Sequence, residues 1–172
     1  ESVSLEDAAL IEPLSVVIHG ITKMNLLNKH KFDSEILIIG CGFLSLLMVE
    51  ILNKLNNNLN IEVIDRNEHK FKLIKSINNV KCILLNENKS WNNYLNKNNS
   101  KFKYVVEMSG DPKNYKRSIH LTKRDGKLMW LSNIFGDLNL SKNEVSSMLR
   151  KEIKVIGSWN SNFKNKNQDD WK

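Results

Sequence analysis

The stretch EILIIGCGFLSLLMVEILNK, residues 35–54, changes its hydrophobic period in the middle. Residues 36–40 form a short, unbroken apolar run that ends in a glycine, which is typical of a strand buried on both faces. From Leu44 to Leu55, apolar residues recur at helical spacing instead. The stretch therefore predicts a strand, a glycine turn and a helix in direct succession. The turn is the first candidate binding site in the chain.

The glycine turn has the spacing Gly40-x-Gly42-x-x-Ser45. In a phosphate-binding turn, the first glycine allows a tight bend and the second lets the backbone approach a diphosphate. The helix that follows presents unpaired N–H groups to the phosphate oxygens. Ser45 is small enough for the third position, where the helix packs against the strand. We predict that Gly40, Gly42, Phe43 and Leu44 contact a dinucleotide.

Asp65 lies 20 residues after Ser45 and ends the next apolar run, IEVID. An acidic residue at this place accepts hydrogen bonds from the adenosine ribose of a dinucleotide. We expect NAD as the cofactor, because the 2′-phosphate of NADP would bring a second negative charge close to Asp65. Arg66 could swing in to pair with that phosphate, so NADP stays open as the less favoured cofactor.

Other interpretations of the turn also stay open. Its glycines could serve backbone geometry alone, or the chain could be a non-catalytic nucleotide-binding module. An S-adenosylmethionine-dependent methyltransferase also has a glycine-rich first loop and an acid at the end of the second strand. That class normally has a further glycine where Leu44 stands, so we rank it below the dinucleotide interpretation.

Short β-rich runs alternate with helical patterns along the rest of the chain. This alternation predicts an α/β fold with a parallel sheet, right-handed crossovers and helices on both faces. The six predicted strands are residues 36–40, 61–65, 81–85, 103–108, 127–132 and 153–159. Predicted helices lie at about 44–55, 68–77, 91–96, 112–121 and 142–151, and the turn residues Arg124-Asp125-Gly126 precede the fifth strand.

The segment before the first strand, residues 5–28, has the pattern of one or two helices. Pro13 suits the first turn of a helix that begins near Glu12, because proline lacks the N–H that a first turn leaves unpaired. We therefore expect helical structure ahead of the sheet.

The composition narrows the possible partners. The chain has 172 residues, enough for one ordinary domain, and a net charge of +7 from lysines spread along the chain. We expect no nucleic-acid partner, because these lysines form no basic stripe interleaved with aromatics. There is no run of 18 apolar residues and no secretion signal, and Cys41 and Cys82 have no CxxC spacing. We expect a cytoplasmic protein without a membrane partner, and a homo-oligomer.

Several stretches of the chain resemble the zinc-dependent medium-chain dehydrogenases, in the branch of the sorbitol and galactitol-1-phosphate 5-dehydrogenases. The resemblance runs over nearly the whole chain. Its pieces are AALIEPLSVVIHGI (8–21), ILIIGCGFLSLL (36–47), IEVIDRNEHKFKL (61–73), KYVVEMSGDP (103–112) and MLRKEIKVIGSWNSNF (148–163), with the later Trp171.

The resemblance implies a Rossmann fold, a doubly wound six-stranded parallel sheet of order 3-2-1-4-5-6 that binds NAD. It implies that the loops after the fourth, fifth and sixth strands face the nicotinamide. Lys70 falls where the family often carries an arginine near the adenine. The cofactor-binding residues implied in this way are Ser109, Gly110, Ser132, Asn133, Ser158 and Lys70.

The resemblance also implies a reaction, the transfer of a hydride between a nicotinamide and a polyol or polyol phosphate at a catalytic zinc. Glu12 matches a glutamate at that zinc, and we predict no other catalytic residue in the chain. The family's zinc-carrying catalytic domain has no counterpart in the sequence. We expect a helical lead-in at 1–30, a dinucleotide-binding domain at 31–160 and a polar loop at 161–172. Such a chain alone is expected to be inactive.

Overall fold

The computed structural model describes residues 4–27 and 35–162. Within these ranges the chain forms six strands, five α-helices and one 3₁₀ helix, Glu68–Leu73. The strands are β1 (Ile36–Ile39), β2 (Ile61–Asp65), β3 (Val80–Leu84), β4 (Phe102–Glu107), β5 (Thr122–Trp130) and β6 (Lys154–Gly157). The helices are α1 (Leu5–Lys23), α2 (Phe43–Leu55), α3 (Asn88–Asn98), α4 (Pro112–Leu121) and α5 (Lys142–Lys151).

The strands form one parallel sheet in the order β3-β2-β1-β4-β5-β6, which confirms the predicted Rossmann topology. The chain first builds outward from β1 through β2 to β3. It then returns to the other side of β1 and continues from β4 to β6. This reversal leaves a crevice outside the carboxyl ends of β1 and β4, where ligands bind in open α/β sheets.

Two hydrophobic cores lie on opposite faces of the sheet. Ile36 and Ile38 of β1 point into the core formed with α1 and α2, and Leu37 and Ile39 point into the core formed with α3 and α4. All four side chains are at most 1% exposed. Burial on both faces explains why β1 has no polar alternation.

The helix before the sheet differs from the prediction. α1 is a single helix that begins at Leu5, with the Ser4 side chain accepting a hydrogen bond from the Asp7 N–H. The placement of Pro13 in a first turn was therefore wrong, because Pro13 lies inside α1. Burial of side chains such as Val17 and Ile21 in the core supports the helix across the proline.

The turn predicted before the fifth strand was also misplaced, because Arg124-Asp125-Gly126 lies inside β5. Phe102 of β4 pairs with Thr122, but Tyr104, two residues later, pairs with Lys127. The extra residues of β5 bulge out of the ladder, and Asp125 takes a φ of 55° there. The turn residues were recognised correctly, but they bend a strand instead of preceding one.

Two other predicted boundaries moved. The helix predicted at about 68–77 is the 3₁₀ helix ending at Leu73, and α3 is longer than the predicted 91–96. The predicted loop at 161–172 lies outside the described residues from 163 onward, as does Trp171. Among the described helices, none combines the length and the apolar character needed to cross a bilayer.

Candidate functional site

A cleft of about 300 Å³ opens at the carboxyl edge of the sheet, at the topological reversal between β1 and β4. It is lined by residues that follow β1, β2, β3 and β4 and by side chains of α3 and α4. Six of the predicted cofactor residues line it, namely Gly40, Gly42, Asp65, Arg66, Lys70 and Ser109.

The glycine turn forms one wall of this cleft, and its two glycines have different roles. Gly40 has a φ of 101°, and a Cβ there would lie 2.9 Å from the carbonyl carbon of Met108 and the nitrogen of Ser109. Only glycine fits so close to the loop after β4. A Cβ on Gly42, by contrast, would meet nothing within 4 Å. The space in front of Gly42 is therefore open to a ligand.

Gly42 is also the N-cap residue of α2, and no side chain caps this helix end. The first N–H groups of α2 and the positive end of its dipole thus lie beside the open space at Gly42. Ser45 is 1% exposed, with its hydroxyl 3.4 Å from the sulfur of Met108. Ser45 is therefore buried where α2 meets the loop after β4. Phe43 is 53% exposed and Leu44 half-buried, and both lie outside the lining of the cleft.

Asp65 joins the end of β2 to the glycine turn. Its Oδ2 accepts a 2.7 Å hydrogen bond from the Cys41 N–H, and its Oδ1 accepts a 2.9 Å bond from the Asn67 N–H. The Lys70 ammonium lies 3.1 Å from Oδ2. A carboxylate has about four lone-pair sites, so these three donors leave capacity for a ligand hydroxyl. Burial, together with the charge of Asp65, raises the pKa of the Cys41 thiol to about 11, which disfavours the nucleophilic thiolate form.

The opposite wall contains an arginine–tryptophan pair that the sequence analysis missed. The guanidinium carbon of Arg117 in α4 lies 4.2 Å from the ring centroid of Trp91 in α3. Its Nη1 donates a 2.8 Å hydrogen bond to Asn114, so the guanidinium is held in one orientation. All three residues line the cleft. No linear motif could identify them, because the contact joins two different helices.

Glu107, at the end of β4, is a second missed residue. It is fully buried, and Oε1 accepts hydrogen bonds from the Ser109 hydroxyl and, at 2.8 Å, from the Ser109 N–H. Oε2 accepts a 2.7 Å bond from the Ser132 hydroxyl and a longer 3.4 Å bond from the Gly110 N–H. Burial raises the pKa of Glu107, and the bonds from Ser109 and Ser132 oppose that shift. A glutamate inside the apolar run KYVVEM was a visible signal.

The loops after β4 and β5 pack tightly against each other. Gly110 has a φ of 76°, and a Cβ there would lie 2.6 Å from the carbonyl oxygen of Asn133 and 2.8 Å from the ring of Phe135. The Tyr115 hydroxyl donates a 2.6 Å hydrogen bond to the carbonyl oxygen of Ser132. The structure thus brings Gly110, Ser132 and Asn133 together beside the cleft, although none of the three lines it.

Ser158 lies just after β6, where its N–H donates a 3.1 Å hydrogen bond to the carbonyl oxygen of Trp130. It is 6% exposed, and within residues 4–27 and 35–162 its hydroxyl has no hydrogen-bond partner. It does not line the cleft. Its contact with a cofactor stays a prediction.

Glu12 is exposed on α1. In the described part of the chain, no three His, Cys, Asp or Glu side chains are grouped so that they could hold a metal ion. A catalytic zinc needs about three protein ligands. The described residues therefore do not fit a complete zinc site, and Glu12 can be at most one ligand of such a site.

A family model described as Glucose dehydrogenase C-terminus matches residues 6–168. The chain belongs to this family. The match confirms the dehydrogenase resemblance that the sequence indicated. The matched residues include all of α1 except Leu5, as well as the whole sheet.

Galactitol 1-phosphate 5-dehydrogenase of Escherichia coli K12 is 26% identical to this chain over 156 residues. These residues are 90% of the chain but 44% of the relative, so the chain spans less than half the length of that enzyme. The crystal structure of galactitol-1-phosphate dehydrogenase from Escherichia coli has a TM-score of 0.73 at 24% identity, covering 98% of the chain and 47% of the enzyme.

Two further solved structures contain cofactors. Acetophenone reductase from Geotrichum candidum in complex with NAD has a TM-score of 0.70 at 19% identity, covering 90% of the chain and 41% of the reductase. Haloferax mediterranei glucose dehydrogenase in complex with NADP, Zn and gluconolactone has a TM-score of 0.72 at 18% identity, covering 88% and 44%. At these identities the solved structures establish the fold alone.

Proposed function

We propose that the chain is the NAD-binding domain of an oxidoreductase that transfers a hydride between a nicotinamide and a polyol or polyol phosphate. One observation carries the proposal. At the reversal point of the sheet, the uncapped N-terminus of α2 lies beside the open space at Gly42, and the buried carboxylate of Asp65 lies on the same cleft. This is the arrangement of donors and acceptor that a diphosphate and its adenosine ribose require.

The residues would hold the parts of the cofactor as follows. The backbone of Gly42 and the first turn of α2 bind the diphosphate, and Asp65 accepts from a ribose hydroxyl. Arg117, fixed on Trp91, forms the wall of the adenosine half. The nicotinamide extends toward the loops after β4 and β5, where the predicted Ser109, Gly110, Ser132 and Asn133 lie. The bound cofactor supplies the hydride chemistry, and the chain binds and orients it.

The preference for NAD over NADP rests on Asp65, because its carboxylate repels a 2′-phosphate. Two cations oppose this preference. Lys70 lies 3.1 Å from the carboxylate and Arg66 is exposed beside it, so both are available to a phosphate. We propose NAD as the preferred cofactor and NADP as a weaker ligand.

The whole reaction is a proposal for a longer polypeptide, since the relatives that suggest a polyol substrate are more than twice as long as the matched region. Glu12 would contribute one zinc ligand there. On its own residues, the chain is expected to bind the cofactor without turnover, because one carboxylate does not make a catalytic zinc site.

We also propose a cytoplasmic homo-oligomer. Apolar side chains are exposed on α5 and the edge strand β6: Val145 is 44% exposed, Leu149 73% and Val155 36%. A second copy of the chain is a reasonable partner for this edge. Among the described residues both cysteines are free, which is compatible with a reducing compartment.

Calorimetric titration of the 172-residue chain with NADH, NADPH and S-adenosylmethionine tests the proposal. We expect NADH to bind with a dissociation constant on the order of micromolar and more tightly than NADPH. Binding of S-adenosylmethionine alone would assign the cleft to the methyltransferase class instead. Equal affinity for the two nicotinamide cofactors would remove the proposed preference but leave the site.

A further inference from the structure

Glu107 is a buried carboxylate at the carboxyl end of β4. It is 0% exposed, and no Lys, Arg or His within the described ranges forms an ion pair with it. Its hydrogen bonds come from the neutral groups of Ser109, Gly110 and Ser132. Burying a carboxylate costs desolvation free energy, and an apolar residue at the same place in the sheet would avoid that cost.

The donors to Glu107 come from two loops that are far apart in sequence. Ser109 and Gly110 follow β4, and Ser132 follows β5. One oxygen receives the Ser109 groups, and the other receives the Ser132 hydroxyl at 2.7 Å. The carboxylate is therefore a direct link between the two loops.

Further contacts extend this link on both sides. The Asn114 side chain donates a 2.9 Å hydrogen bond to the Ser109 hydroxyl. The Tyr115 hydroxyl donates to the Ser132 carbonyl oxygen, and the Phe135 N–H donates to the Gly110 carbonyl oxygen at 3.2 Å. Both loops are thus tied to the start of α4 as well as to each other.

The linked loops adjoin the proposed diphosphate site. Glu107 pairs in register with Ile39 of β1, and the Met108 N–H donates a 2.8 Å hydrogen bond to the Ile39 carbonyl oxygen. A Cβ on Gly40 would lie 2.9 Å from the Ser109 nitrogen. The loop after β4 therefore lies next to the proposed diphosphate site, on the side where the nicotinamide half of a dinucleotide would lie.

We infer that Glu107 is a positioning residue, which holds the loops after β4 and β5 in the arrangement that receives the nicotinamide half of the cofactor. The inference rests on the proposed function. Hydrogen bonds to a charged acceptor are roughly twice as strong as neutral ones, so a carboxylate can fix several donors at once. Glu107 need not touch the cofactor, because it acts through Ser109, Gly110 and Ser132.

The substitution Glu107→Gln tests the inference with almost no change of shape. The glutamine oxygen can still accept from Ser109, but its NH₂ group then faces the Gly110 N–H and the Ser132 hydroxyl. The hydroxyl can rotate to accept, whereas the backbone N–H cannot. The Ser132 bond between the loops therefore changes from a charge-assisted to a weaker neutral one and the Gly110 N–H loses its acceptor, while the sheet stays packed.

The readout compares NADH with ADP-ribose, which has the adenosine, diphosphate and second ribose but lacks the nicotinamide. We expect Glu107→Gln to weaken NADH binding on the order of tenfold, with ADP-ribose affinity changed less than about twofold. The matched control is Glu62→Gln, which alters another buried strand glutamate, one held by Lys101 and Tyr94 at the opposite edge of the sheet. It should change neither affinity.

A double-mutant cycle with Ser132→Ala separates positioning from direct contact and remains informative if Glu107→Gln proves unstable. Ser132→Ala removes the hydrogen bond from Ser132 to Glu107 but keeps the carboxylate. If Glu107 acts through Ser132, each single variant weakens NADH binding, and the double variant weakens it by less than the product of the two single effects. Additive effects in the cycle would overturn the linking role.

The outcomes are distinct. A wild-type chain that binds NADH, together with a Glu107→Gln variant that loses affinity for NADH but not for ADP-ribose, supports the inference. Equal losses for both ligands, or no loss, overturn it while the proposed function stands. A folded wild-type chain that binds neither ligand overturns the proposed function and this inference with it.

Discussion

The two buried glutamates of the sheet, Glu62 and Glu107, are stabilised in opposite ways. Glu62, near the amino end of β2, receives a 2.6 Å bond from the Lys101 ammonium and a 2.7 Å bond from the Tyr94 hydroxyl. Burial raises its pKa, but the bonds from Lys101 and Tyr94 and the charges of Lys101 and Lys81 outweigh this, and the net pKa is lowered. Glu107, at the carboxyl end of β4, has only neutral donors in the described part of the chain, and burial raises its pKa.

This difference indicates that the amino edge of the sheet is structural and that the carboxyl edge is the binding edge. At the amino edge, Lys101, which directly precedes β4, neutralises the Glu62 carboxylate and so links β2 to the start of β4. At the carboxyl edge, the Glu107 carboxylate accepts hydrogen bonds from two loops beside the open cleft and has no counter-ion among the described residues. The pattern matches the general rule that ligands of open α/β sheets bind at the carboxyl ends of strands.

The largest expected effect is a loss of NADH affinity when the glycine turn at the carboxyl edge is altered. Gly42→Val places a branched side chain in the open space where a diphosphate would lie, so we expect NADH affinity to fall by at least about a hundredfold. The fold should persist, because a Cβ at Gly42 meets nothing within 4 Å. Fluorescence titration with NADH, alongside thermal unfolding, measures both quantities.

Glu50→Val is the control, since it places the same branched side chain at an exposed position of α2 that does not line the cleft. Normal NADH binding by a folded Gly42→Val variant would mean that the diphosphate does not lie against this turn.

The second prediction concerns the amino edge. Lys101→Ala leaves the buried Glu62 without its closest cation, and we expect the free energy of unfolding to fall by about 2 kcal/mol. NADH affinity should not change, because Lys101 is remote from the cleft. Urea denaturation gives the first quantity and fluorescence titration the second.

Lys81→Ala is the control for this change. The Lys81 ammonium lies 3.7 Å from Glu62, but its side chain is 70% exposed, so we expect an effect well under about 1 kcal/mol. If Lys101→Ala weakened NADH binding strongly, the functional separation of the two edges would fail.

The third prediction uses pH to distinguish the two carboxylates. The folded-state pKa of Glu62 is lowered from 4.5, so its stabilising contribution is present above that pH and is lost as the pH falls through the folded pKa. The folded-state pKa of Glu107 is raised from 4.5, so its contribution is present below that pH and is lost as the pH rises. The two glutamates should therefore give opposite pH slopes.

Urea denaturation of Glu62→Gln and Glu107→Gln from about pH 3 to about pH 8 checks these slopes. Relative to wild type, the loss caused by Glu62→Gln should grow as the pH rises toward 4.5, and the loss caused by Glu107→Gln should shrink as the pH rises above 4.5. Parallel profiles for the two variants would show that the carboxylates are not differently stabilised.

The smallest expected effect is on NADPH affinity and concerns Arg66, also at the carboxyl edge. Arg66→Ala removes an exposed cation next to Asp65, so NADPH binding should weaken about threefold, with NADH binding unchanged. Calorimetry at low ionic strength measures both, and Lys72→Ala, an exposed lysine of the same 3₁₀ helix region that does not line the cleft, is the control. An equal loss for NADH would assign Arg66 to a part of the cofactor that both dinucleotides share.

The parts of the site that the sequence predicted are those with local signals. Gly40, Gly42 and Asp65 occur at a characteristic spacing around β1 and β2, and each lines the cleft. Pro13 shows the limit of such signals, because packing of α1 against the sheet outweighs the preference of proline for a first turn. The bulge of β5 at Asp125 shows the same limit for turn residues.

Sequence alone determined the α/β class, the six strands in their approximate places and the glycine turn with its aspartate, because these depend on hydrophobic period and short spacings. Only the tertiary structure decided what surrounds that turn. Arg117 meets Trp91 across 26 residues, and Glu107 meets Ser132 across 25, so neither contact leaves a periodic or short-range trace in the chain. The physical reason is that crossover connections bring distant residues to one edge of the sheet, where burial selects their partners by geometry.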